Sequence, residues 1–150
     1  AATEKGVAMI AFGDGDAALE ADLAARFAAA ERVHDAAGLQ PLLTRIVAAI
    51  DEPAAAAAIP LDIRGTAFQQ RVWSALRAIP LGETRTYGEI ATAIGAPRAV
   101  RAVASACAGN PAALVVPCHR VLPKDGGLGG YRWGPERKRR LLAREREAAD

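Results

Sequence analysis

The chain has 150 residues, 51% apolar and only 5% aromatic, with a formal net charge of +2, enough for a main core with a smaller one beside it. Two cysteines and two histidines cannot support a disulfide framework or a zinc site of ordinary spacing, so neither metal nor cofactor is expected. The longest uncharged run, residues 102–118, is broken by Gly109-Asn110-Pro111 and is shorter than the ~18 apolar residues of a membrane helix; with Glu4 and Lys5 where an export signal needs an apolar stretch, this predicts a cytoplasmic monomer with no membrane partner.

Residues 7–12 predict a strand, Gly13-Asp14-Gly15-Asp16 a turn, and residues 17–30 an alanine-rich helix. No strand is evident before Gly6. A second helix is expected over residues 39–50. Residues 51–60 begin with Glu52-Pro53, continue as five alanines and end at Ile59-Pro60, which reads as a connection between a small domain, 1–60, and a larger one, 61–150. After a short extended segment at 61–63, Thr66-Ala67-Phe68-Gln69 has the spacing of a capping box, and Phe68, Val72, Leu76 and Ile79 form a helical stripe that Pro80-Leu81-Gly82 ends.

Next come a short helix over residues 86–94, the stop Gly95-Ala96-Pro97, and a second helix over residues 98–108. Two short helices joined by a tight glycine-containing turn match a helix-turn-helix, whose second helix enters a DNA groove. In that helix Val100, Val103 and Cys107 are expected to face the core. Ala102, Ser105, Ala106 and Gly109 would leave a low outer face, with Arg101 projecting from its middle. Charge is distributed unevenly: residues 1–60 hold 4 Lys and Arg against 9 Asp and Glu, and residues 61–150 hold 15 against 8. A polyanion would therefore bind the second part. The run Arg137-Lys138-Arg139-Arg140 reads by itself as a solvated helix face.

Residues 113–116 predict a short apolar strand that delivers Pro117-Cys118-His119-Arg120-Val121-Leu122. Adjacent side chains diverge in a strand, so His119 would activate Cys118 through a water, with a third group behind the imidazole. Glu145 on the last helix is the candidate for that group. Arg120 is expected to tie the loop to neighbouring carbonyls or carboxylates. Cys107 reads as inert, Trp73 and Trp133 as packing, and His34 as exposed.

Asn110-Pro111, Val116-Pro117-Cys118-His119-Arg120-Val121 and Gly130-Tyr131-Arg132-Trp133-Gly134 closely resemble the O6-alkylguanine-DNA alkyltransferases. Residues 61–70 and 100–107 are similar to the carboxy-terminal part of the Ada branch of that family. The likeness is strong over about residues 60–150 and weak before them. It implies an α/β (α+β) fold: a small ribonuclease H-like domain lacking its first sheet element, and a mainly helical, winged-helix-like domain carrying the helix-turn-helix.

The resemblance also implies a reaction, the stoichiometric transfer of an alkyl group from guanine O6, or thymine O4, in double-stranded DNA to Cys118. His119 would be the water-linked base and Glu145 the carboxylate behind it, with Asn110 supporting the turn. Tyr87 would help rotate the target nucleotide and donate toward guanine N3. Arg101 would enter the duplex in place of the extruded base, beside Ala102 and Ser105. The carbonyls of Cys118 and Val121 would accept from the guanine amine, and Tyr131 and the Arg132 N–H would lie near O6.

An ether-linked alkyl carbon is a poor electrophile, which calls for a true thiolate, and base extrusion costs a few kcal/mol that an inserted side chain offsets. The alternatives are a noncatalytic binder of alkylated DNA, a helix-turn-helix regulator and a cysteine hydrolase. The first lacks the nucleophile, the second needs polar base-reading side chains, and the third needs an oxyanion motif.

Overall fold

The computed structural model describes residues 1–150, and the sheet that opens it is a hairpin of two short strands. β1 (Ala2–Thr3) pairs antiparallel with β2 (Gly6–Val7), with Ala2 opposite Val7 and Thr3 opposite Gly6. β1 is an addition to the sequence reading, which places no strand before Gly6. Gly6 has φ +150°, and a Cβ there would come within 2.7 Å of the Pro60 backbone, so this turn needs glycine.

The strand predicted over residues 7–12 is realised only in part, by β2 and by parallel bridges from Val7 to Leu61 and from Ile10 to Ala112. Between the bridges the backbone folds back on the chain start, where Ala8 and Met9 N–H both donate to the Ala1 carbonyl. The Ile10 bridge attaches the first segment directly to the turn that precedes Cys118.

Helix α1 (Asp16–Arg26) stops before the predicted Ala30, and α2 (Ala36–Asp51) starts three residues before the predicted Leu39. Asp35 explains the early start, because its side chain accepts from Gly38 N–H and caps α2. The connection after α2 is a 3-10 helix over Pro53–Ala58, with Pro53 and Ala56 buried.

α3 (Ala67–Arg77) begins at the predicted capping box, with both Thr66–Gln69 hydrogen bonds present. α4 (Tyr87–Ala93) begins at a second one, Thr86–Glu89, that the sequence reading passed over. α4 ends in a Schellman turn: Ala96 N–H reaches the Ala91 carbonyl, Gly95 N–H reaches Thr92, and Gly95 takes φ +72°. α5 (Val100–Ala108) follows at once. Trp73 Nε1 of α3 donates at 2.9 Å to the Ala106 carbonyl, one of the α5 end carbonyls with no partner inside the helix.

The α5 faces differ from expectation at two positions. Ala106 is buried with Val103 and Cys107, whereas Val100, in the first turn of α5, is 40% exposed. Ala102, Ser105 and Arg101 are exposed, as predicted. β3 (Arg85–Thr86), just before α4, pairs parallel with β4 (Val121–Leu122), and α6 (Pro135–Ala149) closes the chain.

One core gathers Val72, Trp73, Leu76, Ile90, Val103 and Cys107 around Cys118 and Trp133; a smaller one holds Val7, Ala49, Ala56, Ile59 and Val115. The architecture is thus mixed and mostly helical with small sheets, in line with the coarse prediction. No helix is long and apolar enough to cross a membrane.

Candidate active site

Residues 113–116 are a tight turn, contrary to the predicted strand. Leu114 takes φ +70°, and Val115 and Val116 N–H bond back to Ala113 and Ala112. Asn110 holds this turn from inside: Oδ1 accepts from Ala112 N–H at 2.9 Å, and Nδ2 donates to the Val116 carbonyl at 2.8 Å and to Cys118 Sγ at 3.2 Å. Both amide groups are thereby used, and one of them points at the thiol. A carbon at that position would leave the buried turn with unmade hydrogen bonds.

Cys118, His119 and Arg120 form one turn of 3-10 helix and are all buried. His119 Nε2 lies 2.6 Å from Glu145 Oε1, so the carboxylate fixes the proton on that nitrogen. Its other ring nitrogen, Nδ1, is buried without a protein partner. Arg120 binds the same carboxylate twice, Nε to Oε2 at 2.7 Å and NH2 to Oε1 at 3.0 Å, and NH1 donates to the Ile79 carbonyl at 2.7 Å. Burial pushes the Glu145 carboxyl up, but the hydrogen bonds and charges of His119 and Arg120 outweigh it and hold the group below its ordinary value.

Burial is also the largest influence on Cys118 and lifts its thiol above the ordinary range, against the Asn110 hydrogen bond and the charges of Lys138 and Arg132. Burial thus opposes the ionisation that alkyl transfer to this sulfur requires, and the Asn110 amide and the two cations favour it. Cys107 is pushed up to about 12, chiefly by burial, in keeping with an inert role.

Lys138 was missed by sequence reading, which placed it on a solvated face. It is fully buried, and Nζ donates to the Val121 carbonyl at 2.7 Å. No carboxylate bonds to it. Burial lowers its pKa, and negative charge on Cys118 or Cys107 acts in the opposite sense. The signal was available in the spacing of α6, whose buried positions Lys138, Leu141, Leu142 and Glu145 follow the i, i+3, i+4, i+7 stripe of a core-facing helix.

Tyr87, the first residue of α4, is half-buried against the larger core, and burial raises its phenol pKa, with Cys107 and Cys118 adding to the effect. Tyr131 also has a raised pKa, again mainly from burial, and its buried hydroxyl has no protein partner. Trp133 meets Tyr131 edge-on at 5.3 Å and Phe12 at 6.1 Å. The Arg132 side chain turns away to Asp22. The structure thus groups Asn110, Cys118, His119, Glu145, Val121, Tyr87 and Tyr131 around one buried centre, while Arg101, Ala102 and Ser105 lie on the exposed face of α5.

The site combines a buried thiol that accepts from Asn110, a histidine–glutamate–arginine cluster behind it, and two short helices joined by a tight glycine turn. The profile for the 6-O-methylguanine DNA methyltransferase DNA-binding domain matches residues 67–147, and the chain belongs to that family. It is 50% identical over 147 residues to the bifunctional transcriptional activator/DNA repair enzyme Ada of Escherichia coli K12, covering 98% of this chain and 42% of that protein. It is 59% identical over 91 residues to the methylated-DNA–protein-cysteine methyltransferase of Mycobacterium bovis, covering 61% and 55%. The structure of Mycobacterium tuberculosis OGT in complex with DNA matches with TM-score 0.61 and 52% identity over 68% of each chain. The chain spans about two fifths of the Ada proteins and little over half of the mycobacterial enzyme.

Proposed function

We propose that the protein repairs DNA by moving an alkyl group, methyl in the simplest case, from guanine O6 in a duplex to its own Cys118, once per molecule. The observation that carries this reading is the His119 imidazole, fixed by Glu145 on one nitrogen and presenting its other buried nitrogen unpaired, beside a thiol that accepts from Asn110. In the reaction the Cys118 proton passes through a water to His119 Nδ1. The sulfur then forms a bond to the alkyl carbon as the carbon–O6 bond breaks, and the electron pair leaves on the guanine. Tyr87 donates at N3 and Tyr131 with the Arg132 N–H at O6, which neutralises the departing base. Glu145 shares the positive charge that arises on His119. The thioether formed stores no energy and nothing in the site cleaves it, so the protein is consumed.

The Val121 carbonyl is held by Lys138 and keeps a second lone pair for the guanine amine. The target base is read after extrusion from the duplex. The low face of α5 at Ala102 and Ser105 lets the helix approach the groove, and Arg101 takes the vacated place in the stack. The finer description of the fold as a ribonuclease H-like segment, 1–60, followed by a winged-helix-like domain, 61–150, belongs to the same proposal, as do a monomeric state and a cytoplasmic site of action. A binder that marks lesions without repairing them has no use for Cys118.

Incubation with a duplex containing O6-methylguanine is expected to add one methyl group to the peptide bearing Cys118, read by mass spectrometry, with stoichiometry never above one. Repeated turnover, or intact binding with no adduct, overturns the mechanism. Arg101→Ala is expected to slow transfer from duplex DNA more than transfer from free O6-benzylguanine, which needs no extrusion. Equal losses on the two substrates remove Arg101 from base extrusion.

A further inference from the structure

α1 is the one helix of the fold with no buried residue, so apolar burial does little to fix it. Polar contacts tie it and its leading turn to the rest of the molecule. Asp14 accepts from Arg137 NH2 at 2.6 Å, both Asp22 oxygens accept from Arg132 NH2 at 2.7 and 2.9 Å, and Arg26 NH1 reaches the Gly109 carbonyl at a long 3.4 Å. These contacts land on two sides of the site: Arg132 follows Tyr131 in the pocket loop, and Gly109 ends α5.

Both carboxylates are accessible to solvent, Asp14 with 94% of its side chain exposed and Asp22 with 40%. Exposed pairs of this kind are weak and are screened by salt. The arginines have a further hold of their own. Arg132 lies over the Trp133 ring at 5.6 Å and Arg137 over Phe12 at 5.9 Å, so both cations stay beside the pocket when their acids leave. A duplex offers these cations one phosphate charge per about 1.7 Å of helix axis, far denser than two carboxylates.

We infer that α1 is an electrostatic strap. In the free protein Asp14 and Asp22 occupy Arg137 and Arg132; when a duplex seats on α5, its phosphates replace the carboxylates and α1 comes loose. The two acids thereby compete with DNA for two solvent-reachable cations beside the pocket loop and hold down affinity for undamaged duplex. This rests only on the DNA-binding part of the function proposed above.

Hydrogen exchange of the full chain, with an unmodified duplex as probe, tests it. In Asp14→Asn/Asp22→Asn, and in the unsubstituted protein on adding duplex, the amides of residues 16–26 are expected to exchange about threefold faster or more. The double variant is expected to bind the duplex more tightly than Glu20→Gln/Glu31→Gln, which removes the same charge from acids that hold no ion pair. Unchanged α1 exchange in the double variant, protection of α1 by duplex, or equal affinities of the two variants overturns the strap. Faster exchange with no methyl transfer to Cys118 upholds the strap and sinks the repair reading. Transfer with α1 indifferent to duplex sinks the strap alone.

Discussion

Glu145→Ala is expected to destabilise the fold by about 3–5 kcal/mol, because it leaves the Arg120 guanidinium buried without its counter-charge. Arg120 is 8% exposed and spends two of its hydrogen bonds on this carboxylate. The Ile79 carbonyl alone cannot neutralise it. Glu145→Gln keeps an acceptor and the volume, so it is expected to fold better than the alanine variant while slowing alkyl transfer by less than the roughly 10²–10⁴ that losing the His119 base itself would cost. The neutral amide can neither fix the His119 proton as firmly nor share its positive charge.

The pH dependence has a definite sign. The Glu145 carboxyl is held below its ordinary 4.5 in the folded protein, so its contribution is complete above that value and is lost as pH falls through the lower folded value. Urea midpoints of the unsubstituted protein and Glu145→Gln are therefore expected to differ at about pH 7 and to converge in acid. A gap that stays constant down to about pH 3 would show that this carboxylate is not the linked group.

How much of this was legible in the sequence depends on whether the signal is local. The Thr66–Gln69 box and the stripe of α3 are local, and both are realised. Cys118 and His119 stood out through the family resemblance of the Pro117–Val121 run, and Glu145 was the candidate for a third group behind the imidazole; the structure sets its carboxylate 2.6 Å from His119 Nε2. The turn at 113–116 was misread because four apolar residues in a row are compatible with a strand, whereas the turn is imposed by Asn110 bonding across it and by Leu114 in the left-handed region.

Charge patterning misled at one helix and left the pairings of another unseen. Lys138 sits in a run of four cations and is buried, since α6 needs that position on its inner face; its neighbours Arg137 and Arg139 pair instead with Asp14 and Glu136. The acids of residues 1–60 entered the sequence reading only as part of a charge imbalance. Two of the acidic residues in this segment meet arginines 110 and 123 residues away, a pairing that only the tertiary fold creates.

Lys138→Met should separate stability from chemistry. The substitution removes a fully buried ammonium whose pKa burial lowers, so the desolvation cost disappears. The Val121 carbonyl meanwhile loses its donor, a penalty of about 1–3 kcal/mol. Replacing a buried charge with an apolar side chain of like volume is often neutral or stabilising, and the net change in the urea midpoint is expected to be small.

Transfer is expected to suffer by contrast, because Lys138 is among the charges that counter the effect of burial on Cys118. Losing a nearby cation raises the thiol further above its ordinary range. The thiolate fraction at neutral pH then falls, and the greater nucleophilicity of the more basic sulfur restores only part of the rate. The net result is slower transfer. The rate profile moves to higher pH, and haloacetamide alkylation of Cys118 follows the same displaced profile without DNA. A variant that folds and reacts with an unmoved profile would make Lys138 a prop for the Val121 carbonyl and nothing more; one that moves the profile makes the buried cation a determinant of when this sulfur ionises.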